Sequence, residues 1–283
     1  MSSAGRNRGL SMDLCAHEIP RIGERRVASG SFDHSREAIT DPLGAARSWN
    51  GGRLGVIASH RSEVSCFTHL RGGEGPLILR SGGSAAKARS GAEQLGRQGI
   101  AGLVSFGLAT GLAPVLRPGD LVLAESVVLP SGQTIRTDAA WRDALVRQLS
   151  GRELSVRVAR LAGYDELLTS ASAKRKAFQA TFAAALDTDS HGVAEAASRL
   201  GLPFLVIRAV AEPAERNIPS PLRVHGGEDD LLRGLGIAVR LLCRPWEFPS
   251  AWRFARDGRR ALASLSQAAA ALALCSPEMA AAA

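Results

Sequence analysis

Leu186–Glu215, LDTDSHGVAEAASRLGLPFLVIRAVAEPAE, contains a short strand, an acidic turn, a helix, and a second strand that runs into another acidic turn. Val193, Ala196, Ala197 and Leu200 recur at helical spacing, and Gly201-Leu202-Pro203 ends that helix before the apolar run Phe204-Leu205-Val206-Ile207. Such a run, rich in β-branched residues, predicts a strand buried on both faces, as in a parallel sheet covered by helices. Ligands of such sheets gather beyond the carboxyl ends of the strands, which is where Asp187, Asp189 and Glu212 would stand. The plainer alternative is that Asp189 or Ser190 caps the helix and Glu212 is a solvated loop acid.

Outward from this stretch, other strand-to-turn units follow the same pattern. Arg53–Ala58 reads as a first strand, with Ser59–Val64 as a turn into the next element. Pro76–Arg80 is a second strand, followed by Ser81-Gly82-Gly83-Ser84 and an Ala-rich helix to about Gln98. Glycines between strand and helix let backbone N–H groups approach an anion at the positive end of the helix. Ala101–Phe106 is a further buried strand, ending in the glycine-rich loop Gly107–Leu112, and Pro118-Gly119-Asp120 is a turn before another strand. A helix is expected over Thr137–Leu149 and a strand over Leu154–Leu161.

Taken together, these motifs resemble the nucleoside phosphorylase and nucleosidase superfamily. Asp187–Ala194 is similar to its D-M-E-S/T-x-x-V-A segment, Arg208–Glu212 to R-x-I-S-D, Gly107–Leu112 to G-S-A-G-G-L, and Pro118–Val122 to P-G-D-[IL]-V. The resemblance is nearest to the hopanoid-associated phosphorylase branch, through Ser105–Leu112, Asp189–His191, Arg208–Ala214 and the R-P-W-E-x-P linker Arg244–Pro249. It covers about Arg53–Leu265 and implies a three-layer αβα sandwich around a mixed, largely parallel twisted sheet.

The resemblance implies cleavage of a purine-nucleoside N-glycosidic bond, by phosphate or by water, with release of adenine from adenosylhopane as the expected reaction of this branch. Catalytic roles fall to Glu212, as acid toward the leaving purine, and to Glu63, which positions the nucleophile. Asp189, Ser190 and His191 are the implied ribose site; Ser84, Gly107, Leu108, Ala109, Thr110 and Gly111 the nucleoside and phosphate loop; and Tyr164, Leu168 and Thr169 the base pocket. The acids are exchanged relative to the family, with Asp at 189 for Glu and Glu at 212 for Asp. Ser105 and Leu108 stand where phosphorylases usually keep an Arg and a Ser for phosphate. Inorganic phosphate as co-substrate therefore stays open beside water, with Ser84, Arg61 or backbone N–H groups as the substitutes. Two other readings compete: a soluble methylthioadenosine/S-adenosylhomocysteine nucleosidase or purine nucleoside phosphorylase, and a non-catalytic nucleoside-binding module.

Composition sets limits on these readings. The 283 residues are 45% hydrophobic, enough for one large α/β domain, and the formal charge of +8 comes from scattered arginines rather than a basic block. Nucleic acid is therefore not expected as a partner. Cys15, Cys66, Cys243 and Cys275 lack metal-ligand or paired spacing, which favours reduced thiols and no metal. No apolar stretch approaches the roughly 20 residues of a membrane span, and Met1–Asn50 has no signal-peptide core, so a cytoplasmic protein is expected, and the family resemblance implies a homo-oligomer.

The expected organisation is a disordered extension over 1–50, with Met12 an alternative start, a catalytic domain over 51–247, and a C-terminal helix with an Ala-rich tail over 248–283. Before the helix lie a flap over Arg216–Gly227 and an amphipathic helix over Asp229–Cys243. Trp246, Phe248, Trp252 and Phe254 stand among Arg253, Arg256, Arg259 and Arg260. Core packing is the favoured reading of these aromatics, and a peripheral membrane contact the alternative.

Overall fold

The computed structural model describes residues 53–70, 75–219 and 244–275. The extension over 1–50, the helix over Asp229–Cys243, the flap from 220 onward and the Ala-rich tail lie outside the described residues. In chain order the elements are β1 (Leu54–Ala58), α1 (Arg61–Val64), β2 (Leu77–Arg80), α2 (Ala85–Gly96), β3 (Gly102–Gly111), β4 (Leu121–Val128), β5 (Thr134–Arg136), α3 (Ala139–Leu149), β6 (Val156–Gly163), α4 (Ala171–Thr181), β7 (Ala185–Asp187), α5 (Ser190–Leu200), β8 (Phe204–Glu212) and α6 (Phe248–Leu272).

One mixed sheet of eight strands organises them. Parallel pairing joins β1 to β2 and β3, β3 to β8, β4 to β6, and β6 to β7. Antiparallel pairing joins β3 to β7, β4 to β5 and β4 to β8. Parallel contacts therefore predominate, as the sequence leads one to expect. β8 lies between β3 and β4, and it is buried along nearly its whole length. Its backbone is hydrogen-bonded on both edges and its first four side chains meet apolar layers on both faces, which is why a run such as FLVI can sit there.

Two apolar layers cover the sheet. On one face Ala88, Ala92 and Leu95 of α2 and Val193, Ala196 and Ala197 of α5 pack with Ile57, Leu103 and Val206. On the other, Trp141 and Leu145 of α3 and Leu265, Ala268 and Leu272 of α6 pack with Val56, Phe106 and Leu205. The result is the expected αβα arrangement. Gly192 is what allows α2 and α5 to meet, since a Cβ there would lie 2.1 Å from the Ala85 carbonyl oxygen. Trp141 is fully buried and donates its indole N–H to the Cys275 carbonyl at 3.2 Å, tying α3 to the end of α6. Burying a side chain of that kind stabilises by about 2–3 kcal/mol.

The helix boundaries follow local chemistry. Ser84, Asp138 and Ser170 cap α2, α3 and α4 by accepting from Lys87, Trp141 and Ala173 N–H groups. Gly201 closes α5 in the left-handed conformation. Two sequence expectations need correction. Residues 107–111 are not a loop: β3 is ten residues long and continues through Gly111, because β7 and β8 supply hydrogen-bonding partners there. The aromatics ahead of and within α6 are not core, as Trp246, Phe248 and Trp252 are 72%, 55% and 61% exposed.

Candidate active site

Three carboxylates far apart in sequence line one cavity of about 230 Å³: Glu63 from α1, Asp189 from the start of α5, and Glu212 from the end of β8. Each is delivered by the carboxyl end of a strand, β1, β7 and β8 respectively, as the rule for α/β sheets requires.

Glu63 is 1% exposed and is held by backbone alone. Its carboxylate accepts from the N–H groups of Ser59 at 2.6 Å and His60 at 2.9 Å at the helix start, and from Leu108 on β3 at 2.9 Å. Burial pushes its pKa up, the Leu108 N–H pulls it down and the charge of Asp189 pushes it up again; it ends above the ordinary range. Gly107 stands against this group, and a Cβ at that position would lie 2.7 Å from Glu63 Oε1 and 2.9 Å from Arg208 Nη1.

Arg208, in the middle of β8, is fully buried and organises the second acid. Its Nε donates to Asp187, and its Nη2 donates to Asp189 Oδ1 at 2.6 Å and to Ser105 Oγ at 2.7 Å. Asp189 Oδ2 accepts from Ser59 Oγ at 2.5 Å and Ser81 Oγ at 2.7 Å. Burial alone would raise the Asp189 pKa, but the Arg208 charge and the two hydroxyls outweigh it and hold the group below the usual range. Asp187 goes the other way: burial dominates over Arg208 and leaves its pKa raised. One guanidinium thus serves two carboxylates, and the proton affinity collects on Asp187. Asp189 occupies the N-cap position of α5 but makes no capping bond; Asp187 instead accepts from Ser190 N at 3.2 Å and Ser190 Oγ at 2.5 Å.

Glu212 faces a buried cation. Lys174 on α4 is 0% exposed and lies with its Nζ 3.5 Å from Glu212 Oε1, 2.8 Å from the Arg216 carbonyl and 3.2 Å from the Pro213 carbonyl. Burial lowers its pKa, with Glu212 acting in the opposite direction.

The remaining expected site residues divide into two groups. Leu108, Ala109 and Thr110 line the cavity. Gly107 and Gly111 support it from behind, the former against Glu63 and the latter against the Glu212 backbone. Ser84 is a helix cap, and Ser190 holds Asp187. His191 is buried on Gly163 with Nε2 3.2 Å from Asp165 Oδ1, outside the cavity lining. Tyr164 and Leu168 pack on the small apolar cluster of Leu112, Ala162 and Leu186, and the Thr169 carbonyl accepts from Ile218 N–H. The apolar wall of the cavity is made instead by Leu167, Leu186, Ile218 and Phe254. Arg208 was the residue most open to detection in sequence, as a charge in the middle of the apolar run Phe204–Ala211.

Among the described residues no cluster of His, Cys, Asp or Glu could hold a metal ion, and no helix is long and apolar enough to cross a membrane. Residues 51–231 match the Phosphorylase superfamily, and the chain belongs to it. It is an enzyme of the nucleoside phosphorylase and nucleosidase kind. Among solved structures it is similar to a 5'-methylthioadenosine/S-adenosylhomocysteine nucleosidase from Neisseria meningitidis in complex with methylthio-immucillin-A (16% identity, TM-score 0.62, 78% of this chain and 98% of that one). It is also similar to the corresponding enzyme of Colwellia psychrerythraea in complex with adenine (18%, 0.59, 79% and 95%). A third likeness is to the futalosine hydrolase of Helicobacter pylori (13%, 0.57, 77% and 97%). At these identities the likeness is one of fold. No curated protein shows significant sequence similarity to the chain.

Proposed function

We propose that this enzyme releases adenine from a nucleoside whose 5′ side carries a large apolar group, with adenosylhopane as the substrate and water as the nucleophile. The observation that carries the reading is the convergence of Glu63, Asp189 and Glu212 on one cavity. Cleaving an N-glycosidic bond leaves positive charge on the sugar and negative charge on the base, so both must be met by fixed groups of opposite sign. Asp189, kept ionised by Arg208, Ser59 and Ser81, supplies negative charge at the sugar without reorganising. Glu63, raised in basicity by burial, orients the water and takes its proton as the new C–O bond forms. Glu212 gives a proton to the purine as it leaves.

Water is favoured over phosphate by the charge of the lining. The described lining residues include Glu63, Asp187, Asp189 and Glu212 and no Lys or Arg. A phosphate dianion entering such a site meets four carboxylates, and the nearby cations Arg208 and Lys174 are already engaged by Asp187, Asp189 and Glu212.

An apolar substituent is favoured by Leu108, Leu167, Ile218 and Phe254. Phe254 belongs to α6, which also presents Phe248 and Trp252, with Arg256 5.5 Å from the Trp252 ring. Aromatics and arginines at one exposed end suit the headgroup level of a membrane, where a lipid-linked nucleoside resides. The reading includes a cytoplasmic homo-oligomer at the membrane periphery, which light scattering and vesicle co-sedimentation with and without W246S/F248S/W252S would test.

The deciding experiment is product analysis with adenosylhopane in phosphate-free and phosphate-containing buffer. Adenine and the free ribosyl product without phosphate are expected. Release that requires phosphate and yields a ribose 1-phosphate would overturn the choice of water. Cleavage of 5'-methylthioadenosine with no action on adenosylhopane would favour the reading taken from the solved nucleosidases. Tight purine binding without turnover of any nucleoside would favour a binding module.

A further inference from the structure

Lys174 is an awkward residue for its position. It lies in the first turn of α4, where the helix dipole disfavours a cation, and it is wholly removed from solvent. A buried ammonium persists only if each of its three N–H groups finds an acceptor. The structure provides three: the Arg216 carbonyl at 2.8 Å, the Pro213 carbonyl at 3.2 Å and Glu212 Oε1 at 3.5 Å.

This geometry suits a second protonation state equally well. If the proton facing Glu212 crosses to the carboxylate, the neutral amine keeps two N–H groups for the two carbonyls. Its lone pair then accepts from the new Glu212 O–H. Neither state leaves an N–H group of Lys174 without an acceptor, and the pair carries no net charge in either.

From this we infer that Lys174 acts through Glu212, holding in reserve the proton that the departing purine receives. The inference rests on Glu212 being the acid of the proposed reaction. In that step the Nζ–H bond breaks as the carboxyl O–H bond forms, and Glu212 passes a proton to the purine while the electron pair of the glycosidic bond stays with the base. Solvent returns a proton to Lys174 after the base leaves. The charged groups acting on Lys174 are Glu212 and Glu215, which favour its cation, and Arg216, which opposes it. Burial is the largest influence and lowers its hold on the proton, in the direction that transfer needs.

The test compares leaving groups. Lys174→Arg keeps a charge and donors but does not give up its proton at working pH; Lys174→Met, measured beside it, removes the proton without adding volume. Adenine release from the nucleoside the wild type cleaves should fall by about 100-fold or more in both, the ordinary scale of acid catalysis. Nitrophenolate release from 4-nitrophenyl riboside, which needs no proton, should stay within about 3-fold of wild type. Equal losses for both leaving groups would mean that Lys174 only supports the fold, and no loss with adenine would overturn the inference outright. Glu212→Gln separates the two layers: if it abolishes adenine release while Lys174→Arg does not, Glu212 remains the acid and the reserve falls.

A second measurement does not depend on turnover. The chain has three lysines, Lys87, Lys174 and Lys176, so the 13Cε signal of Lys174 can be assigned by its loss in Lys174→Arg. Its titration midpoint should lie below the ordinary lysine value of 10.5 and fall further in Glu212→Gln. A midpoint unmoved by that substitution would overturn the coupling.

Discussion

Gly107→Ala is the sharpest probe of how the site is assembled. The added methyl carbon would lie 2.7 Å from Glu63 Oε1, 2.8 Å from Glu63 Cδ and 2.9 Å from Arg208 Nη1. Ordinary contact begins near 3.4 Å, so the carboxylate must retreat by about 0.7 Å or the strand must shift by as much. Neither neighbour is a loose side-chain end. Glu63 is gripped by three backbone N–H groups, and the Arg208 guanidinium by Asp187, Asp189 and Ser105. A retreat of that size carries the Leu108 N–H bond, now 2.9 Å, out to roughly 3.6 Å and so beyond hydrogen-bonding range. Losing one charged hydrogen bond together with the overpacking gives an expected destabilisation of about 2–3 kcal/mol. Displacing the group that orients the nucleophile should lower kcat for adenine release by about 10–100-fold, with a smaller change in KM. Urea unfolding and an adenine-release assay measure the two effects. A variant as stable and as active as the wild type would show that Glu63 and Gly107 are not packed as described.

Gly192→Ala drives a methyl group into the Ala85 carbonyl, which is backbone and cannot swing aside, so α2 and α5 should separate with a loss of about 3 kcal/mol or more in chemical denaturation. Asp189→Asn breaks one side of a buried pair, with an expected cost of about 3 kcal/mol at neutral pH. Because the Asp189 pKa is depressed in the fold, its contribution is present above the unfolded value of 3.8 and is lost as pH falls through the folded value; the gap between wild type and variant should therefore close in acid. Burial pushes the Cys275 thiol from 9.0 up to about 11, so the fold keeps a proton that the unfolded chain gives up. Stability from this source is full below pH 9 and lost as pH rises toward 11, and Cys275→Ala should flatten that part of the alkaline limb in thermal unfolding monitored against pH. Iodoacetamide should leave Cys66 and Cys275 unmodified until the chain is unfolded, which peptide mass mapping would show.

Much of the architecture can be read from the sequence because burial on both faces of a strand writes itself as an uninterrupted apolar run. FLVI in β8 and LGVIA in β1 are such runs, and Ser84, Asp138 and Ser170 mark helix starts where cap chemistry requires them. The two strand-end acids and Glu63 were legible through family motifs. Residues 107–111 were misread as a loop because glycine and threonine carry a turn signature, whereas strand pairing with β7 and β8 overrides it. The Lys174–Glu212 pair had no sequence signal, since a lysine in an amphipathic helix ordinarily points to water and only the return of the chain at Pro213–Arg216 encloses it. Tyr164 was assigned to the base pocket through the family resemblance, but its ring packs on an apolar cluster beside α4. Leu167, Ile218 and Phe254, which do line the cavity, look like any other apolar residues until three distant segments meet.

That meeting has a bearing on biosynthesis. Glu63 is made early, Arg208 and Glu212 follow about 150 residues later, and Phe254 later still. A nascent polypeptide on the ribosome therefore lacks β8, the strand that lies between β3 and β4 and carries both Arg208 and Glu212, so the three carboxylates can converge only late in synthesis.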